Sequence, residues 1–214
     1  MVITHRGHSR FLLEMEDGTR ILTDPFDAST GYPVGALEAD AVTVSHHHHD
    51  HDAVETVKGN PRVIDTAGVH TLSPRLTIEG VDSFHDDVQG TKRGRNLIFC
   101  IRAEGLCIAH LGDLGHMPDA ALIRRLGHVD LLLVPVGGFF PIDALQAKAI
   151  ADALQPSVII PMHYKTEYNA DWPIASADGF LTQYPGQWEK LSMLRVTSED
   201  LQCQVRVALL EDQL

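Results

Sequence analysis

The sequence predicts an α/β protein in which β-sheets are flanked by helices. Three observations carry this: turn-linked apolar runs in the first half, a strand–helix–strand unit in the second, and polar clusters set directly behind short apolar strands. Arg10 to Glu16 and Thr19 to Thr23 read as strands about an Asp17-Gly18 turn, a hairpin signal. Ala41 to Val44 is a short strand of buried type, and Asp52-Ala53-Val54 reads as a helix start. Leu76 to Gly80, Asn96 to Arg102 and Leu106 to Ala109 are further strands, the last two meeting at a turn over Ala103-Glu104-Gly105. Pro118 to Leu126 is predicted helical, with proline in the first turn and Gly127 past the end. Leu131 to Val134, the amphipathic helix Ile142 to Leu154 and Val158 to Ile160 make a βαβ unit. Leu201 to Leu210 alternates like an edge strand.

No Ser/Gly/Pro-rich linker or repeat divides the 214 residues, so residues 1–214 are read as one domain with a substantial core. With 29 acidic against 17 basic residues and a net charge of −12, the chain lacks the basic footprint that nucleic acid requires. No apolar run approaches the roughly 18 residues of a membrane span, and Met1 to Arg6 does not open like a signal peptide, so the cytoplasm is the expected location. Three cysteines argue against a disulfide framework; Cys100 and Cys107, flanking the predicted turn, read as small buried hydrophobes. The sequence specifies no oligomeric state.

The chemistry concentrates in His46-His47-His48-His49-Asp50-His51, which in register is His-x-His-x-Asp-His. On extended backbone, residues two apart point the same way, so His46 and His48 can grip one ion. Asp50 and His51 turn elsewhere and can serve a second. His47 and His49 are expected to face away. Imidazole and carboxylate are the ligands of hydrolytic zinc sites. A purification tag would be an unbroken terminal run, and this one is internal and interrupted by Asp50. His85, Asp113 and His163 also stand just beyond the ends of predicted strands, where sites assemble from distant parts of a chain.

The run His46–His51, the later His85, Gly112-Asp113 and His163 together resemble the metallo-β-lactamase superfamily. Gly7-His8-Ser9, Thr23-Asp24-Pro25-Phe26, Gly112-Asp113-Leu114-Gly115-His116, Pro135-Val136-Gly137-Gly138 and Pro161-Met162-His163-Tyr164 resemble its small-hydrolase branch, which includes L-ascorbate-6-phosphate lactonase-like proteins. The resemblance covers about Ile3 to Lys165. It implies a four-layer αββα sandwich with metals along one edge of the sheets. It places His46, His48 and His85 on one ion, Asp50, His51 and His163 on another, and Asp113 between them. Only 49 residues separate Asp113 from His163, too few for the inserted domain of RNA-processing members. Asp113 itself, absent from true β-lactamases, argues against antibiotic hydrolysis.

Two divalent ions, zinc by default and manganese or iron as alternatives, would activate a bridging hydroxide, with Asp50 as proton carrier. Asp24 and His8 are expected to support the ligands from behind, although Asp24-Pro25 also reads as a turn. His110 and His116 flank Asp113, His116 being a candidate substrate contact. Lys92, Arg93, Arg95 and Lys165 place positive charge beside the ligands and suggest an anionic small-molecule substrate; Asp86 and Asp87 could instead neutralise a solvated loop. The expected function is hydrolysis of a small anionic ester, lactone or phosphoester. The alternatives are a phosphodiesterase acting on a cyclic nucleotide or lipid headgroup, and a non-catalytic metal sensor.

Overall fold

The structure, a computed structural model, describes residues 1–201 and 205–214. In chain order the strands and helices are β1 (Val2–His5), β2 (Phe11–Glu14), β3 (Arg20–Thr23), β4 (Leu37–Glu38), β5 (Ala41–Thr43), β6 (Val57–Lys58), β7 (Arg62–Ile64), β8 (Gly68–Ser73), β9 (Leu76–Phe84), β10 (Arg95–Ala103) and β11 (Leu106–His110). There follow α1 (Ala120–Leu126), β12 (Leu131–Pro135), α2 (Ala144–Leu154), β13 (Val158–Met162), α3 (Asp178–Leu181), β14 (Trp188–Leu191), β15 (Leu194–Arg195) and β16 (Arg206–Leu210). They form a six-stranded sheet β15-β1-β2-β3-β5-β7, an eight-stranded sheet β14-β16-β13-β12-β11-β10-β9-β8, and a small ribbon β4-β6.

Side-chain alternation decides which face each residue serves. Phe11, Leu13, Ile21 and Ala41 of the smaller sheet meet Phe99, Ile101, Ile108, Leu131, Leu133 and Ile160 of the larger in one dry layer. Their neighbours Ile98, Ala109, Leu132, Val134 and Ile159 point outward, where α2 covers them with Ala147, Ile150, Ala151 and Leu154. That helical stripe runs i, i+3, i+4, i+7, as an amphipathic helix on a sheet must. Asp143 starts α2 with a capping box, its side chain accepting from the Gln146 amide at 2.9 Å while Gln146 answers at 3.0 Å. The outer face of the smaller sheet, Leu12, Leu22, Val42 and Val44, is covered by Leu37, Val54 and Val57. This layer is ribbon and 3₁₀ turn; the expected helix at Asp52-Ala53-Val54 is a single 3₁₀ turn, Val54–Thr56, whose Ala53 start has no side-chain cap. The sandwich expected from the resemblance therefore stands, with one outer layer thinner than a helix.

Most predicted strands appear near their expected bounds, and β12-α2-β13 is the predicted parallel unit. Pro118 lies just before α1, which Asp119 caps. The expectation of an edge strand over Leu201 to Leu210 is corrected. Residues 202–204 lie outside the described residues, and β16 runs inside the sheet, parallel to both β13 and β14. Cys100 and Cys107 are free, buried thiols in the β10–β11 hairpin. No helix among the described residues is long and apolar enough to cross a membrane.

Candidate metal centre

Strands β3, β5, β9, β11 and β13 all end at the same edge of the sandwich, because β3 and β5 run parallel, as do β11, β12 and β13, while β10 lies antiparallel between β9 and β11 and so sets those two parallel. Within three residues beyond them stand Asp24, His46, His85, Asp113 and His163. A Leu97 amide to Ser45 carbonyl hydrogen bond of 2.8 Å joins the two sheets at this point.

The rings of His46, His48 and His85 converge, with centroids 4.5, 4.8 and 5.3 Å apart. Their ligand atoms can share one ion. Asp50, His51 and His163 form a second group, joined by His8. Asp113 stands between the groups: one carboxylate oxygen is 3.1 Å from His163 Nε2 and 3.3 Å from His85 Nε2, the other 3.4 Å from His51 Nε2. His47 and His49 are exposed, as expected. All seven sequence-predicted ligands thus meet at one edge.

Local chemistry fixes which nitrogen each histidine presents. Asp24 is fully buried and accepts from His51 Nδ1 at 2.8 Å, from the Ser45 amide at 2.8 Å and from the Ser45 hydroxyl at 2.6 Å. Ser45 has one hydroxyl proton and donates it to that carboxylate, so its 3.0 Å contact with His46 Nδ1 requires His46 to donate. One carboxylate therefore sets the tautomer of a histidine in each group, directly for His51 and through Ser45 for His46. Both Nε2 atoms are left buried without a partner. Buried polar atoms are ordinarily satisfied, and these point where a cation would satisfy them.

Charge follows the same layout. Burial alone would raise the Asp113 carboxyl, but His163 and His51 outweigh it and hold it well below the usual carboxylate range. Burial disfavours charge on His51, yet Asp113, Asp50 and Asp24 raise it to about 10. For His46, burial dominates and lowers the ring well below its usual value. A site this acidic and this buried is built to receive positive charge.

The backbone behind the ligands leaves no slack. Asn96, fully buried, accepts from the Asp113 amide at 2.9 Å and donates to Ser83 Oγ and the Leu111 carbonyl at 2.8 and 3.0 Å. His110 is structural, bridging the Ser9 carbonyl at 2.9 Å and the Gly112 amide at 3.2 Å. A Cβ on Gly115 would collide with the His85 carbonyl carbon and the Asp86 amide nitrogen. Gly115→Ala should therefore push His85 away, costing about 1–3 kcal/mol of stability as overpacking does, together with most of the activity. A urea melt and a metal titration on the same variant check this.

The structure separates the predicted basic residues. Asp86 accepts from the amides of Val88, Gly90, Lys92 and Arg93 at 2.7–2.9 Å, so it shapes the loop through its backbone. Lys92 faces Asp87 at 3.5 Å and Arg95 faces Asp82 at 2.6 Å, both at the exposed surface. Arg93 turns inward over the Phe140 ring at 4.7 Å. It lines a cleft of about 530 Å³ with Ser29, His48, His49, Asp50, His85, Asp113, Phe140, Asp171, Trp172 and Pro173. Lys165 is not among those residues. His116 braces the end of β9, accepting from the Phe84 amide at 3.4 Å, and lies outside the cleft. Sequence reasoning missed Phe140 and Trp172, the aromatic walls, and the Ser45 link. The aromatic pair Phe139-Phe140 behind Gly137-Gly138 and the loop tryptophan before Pro173 were the signals available.

The comparisons agree with this geometry. Residues 2–163 match the family model of the beta-lactamase superfamily domain. The chain is 32% identical to a UPF0173 metal-dependent hydrolase of Thermococcus onnurineus over 86% of its own length and 89% of the relative's. It is 40% identical to a proposed Zn-dependent hydrolase of the metallo-β-lactamase superfamily from Thermotoga maritima, whose crystal structure superposes with a TM-score of 0.79 over 98% of this chain and 99% of that one. Igni18, a metallo hydrolase from Ignicoccus hospitalis, shares the fold at 22% identity, with a TM-score of 0.66 over 99% and 95% of the two chains.

Proposed function

We propose, for a chain that belongs to the metallo-β-lactamase superfamily and is a metal-dependent hydrolase, that it cleaves a small anionic ester, lactone or phosphoester at a dinuclear centre. The observation that carries the reading is the convergence of His46, His48, His85, Asp50, His51, His163 and Asp113 at one edge, with buried ring nitrogens left unpartnered. His46, His48 and His85 would hold one ion, Asp50, His51 and His163 the other, and Asp113 would touch both. Divalent ions held there, zinc by default and manganese or iron by the same donors, would supply Lewis acidity that brings the pKa of a water toward neutrality. The Asp50 carboxylate, at the cleft floor, is the base that takes and returns the proton. Asp24 and Ser45 hold the imidazoles so that only Nε2 faces inward. Trp172 and Phe140 exclude water from one side, and Arg93 receives the anionic group of the substrate.

Elemental analysis of purified protein, coupled to a panel of lactones, phosphomonoesters and phosphodiesters, tests the reading. It expects about two ions per chain and turnover confined to anionic members. No metal, with no gain in thermal stability on adding any divalent ion, would overturn it. Among the four basic residues, only Arg93 should matter for binding. A charge-assisted hydrogen bond contributes about 1.5–3 kcal/mol, so Arg93→Ala should lower kcat/KM about 10- to 100-fold on an anionic substrate and little on a neutral one of equal size. Lys92→Ala and Arg95→Ala should leave both unchanged, since their partners are Asp87 and Asp82. Steady-state kinetics on the matched substrate pair settles the comparison.

A further inference from the structure

We infer that His8 is a direct ligand of the ion held by Asp50, His51 and His163. The inference rests on the dinuclear reading above and adds a protein donor to one of its two positions. Ligand atoms of His8, Asp50, His51 and His163 all lie within 4.8 Å of one another, a span that one cation can bridge. His8 Nε2 stands 3.3 Å from Asp50 Oδ2 without forming a hydrogen bond, and both nitrogens of the ring are buried and unpartnered. The facing nitrogens of His51 and His163 are unpartnered too. Three imidazoles aimed at one carboxylate-lined point, with nothing between them, fit a cation better than they fit each other.

The position of His8 excludes the other roles a buried histidine fills. It is not among the residues that line the substrate cleft, and it meets Trp172, which is, in a T-shaped contact at a centroid distance of 5.3 Å. It therefore has no direct contact with substrate through which to pass a proton. An outer partner would grip the far nitrogen of a ligand, as Asp24 grips His51 Nδ1, whereas His8 meets the inward oxygen of Asp50. Its backbone is built for this placement. Gly7 and His8 are consecutive left-handed residues, with φ of 89° and 58°, and a Cβ on Gly7 would press on the Tyr32 ring at 2.7 Å. The His8 carbonyl accepts from His5 Nε2 at 2.9 Å and from the His163 amide at 3.2 Å, tying the loop to the neighbouring ligand. A non-glycine residue keeps such a conformation only where its surroundings over-determine it.

With His8, this position has donors from His8, Asp50, His51, His163 and the shared Asp113. That exceeds the four of a tetrahedral zinc site, so it should accept manganese or iron more readily than the position of His46, His48 and His85.

The test is cobalt binding to the full-length protein and to His8→Ala and His8→Gln, followed by calorimetry and by proton NMR. Each ligating imidazole keeps a proton on its far nitrogen and gives one strongly shifted, exchangeable signal. The expected result is one such signal fewer in both variants. One cobalt should bind at wild-type affinity and the other more weakly than the roughly 10- to 100-fold loss typical of removing an outer partner. An unchanged number of shifted signals overturns the assignment, whether affinity is kept or falls modestly, and leaves His8 an outer contact. If His8→Ala does not fold, His8→Gln, which keeps the volume, decides by the same signal. Failure of the wild-type protein to take up cobalt at all would instead refute the dinuclear reading itself.

Discussion

Asp113→Ala should abolish measurable turnover and take most of the bound metal with it, a larger loss than alanine at any other single ligand. The carboxylate meets His85 of one group and His51 and His163 of the other at 3.1–3.4 Å, so it stands against both groups. In the proposed dinuclear centre its removal deprives both ions of a negative donor at once, and a loss in kcat/KM beyond about 10³-fold is expected. His163 and His51 outweigh burial and hold this carboxylate charged well below its usual range, so its charge contributes stability at neutral pH and the variant should melt below the wild type even without metal. It should also lose the further stabilisation that metal confers on the wild type by mass action. Thermal melts with and without zinc, beside elemental analysis and kinetics, separate the two effects. Wild-type turnover with full metal content would remove Asp113 from its place between the ions.

Asp24→Asn should weaken both ions although Asp24 touches neither. Its carboxylate accepts from His51 Nδ1 and from Ser45, whose oxygen accepts from His46 Nδ1. His51 Nδ1 and the Ser45 hydroxyl share one carboxylate oxygen while the Ser45 amide takes the other, so the NH2 of a carboxamide must face either that amide or the shared pair. Either placement loosens the hold on His51 and, through Ser45, on His46. Losses of about 10- to 100-fold in affinity are typical for such partners. Ser45→Ala should weaken only the position that His46 serves. Because both act through one network, the double variant should fall short of the sum of the singles. Competitive zinc titrations against a chromophoric chelator measure all three, and strict additivity would break the link between Asp24 and His46.

The cluster of candidate ligands was legible because its chemistry is local: His-x-His-x-Asp-His needs only an extended strand before it, and β5 supplies one. Asp113 and His163 were legible for the same reason, each following an unbroken apolar run, β11 or β13. What escaped depends on tertiary placement. β1 is four residues long and finds its partners in β2 and distant β15, too short a run to show a period of its own. β16 alternates like an edge strand in sequence, yet β14 closes over it, and parallel pairing leaves no local signature. Lys92, Arg93 and Arg95 are equivalent as letters, and it is the grip of Asp86 on the loop amides that turns one inward and leaves the others at the surface. Trp172 announces itself in sequence only as a loop tryptophan before Pro173, and the cleft wall it forms exists only once that loop folds back beside His48, His85 and Asp113.

His8, Asp24 and His163 share an uncommon backbone, with φ of 58°, 37° and 51°. Each such residue costs on the order of 1–3 kcal/mol, a cost met during folding and not during metal uptake. An arriving ion therefore finds its donors already aimed, and loses little affinity to ordering the chain. Loading should then run at the pace at which an ion sheds its water. Exposed zinc or manganese should occupy the centre in a single fast phase, without the slow rearrangement seen where a loop must close around its metal. The same three positions are closed to β-branched side chains, which left-handed backbone rejects. Arg93, Phe140 and Trp172 line the cleft away from these three positions, so substitutions there should alter the pocket while leaving the aim of the donors unchanged.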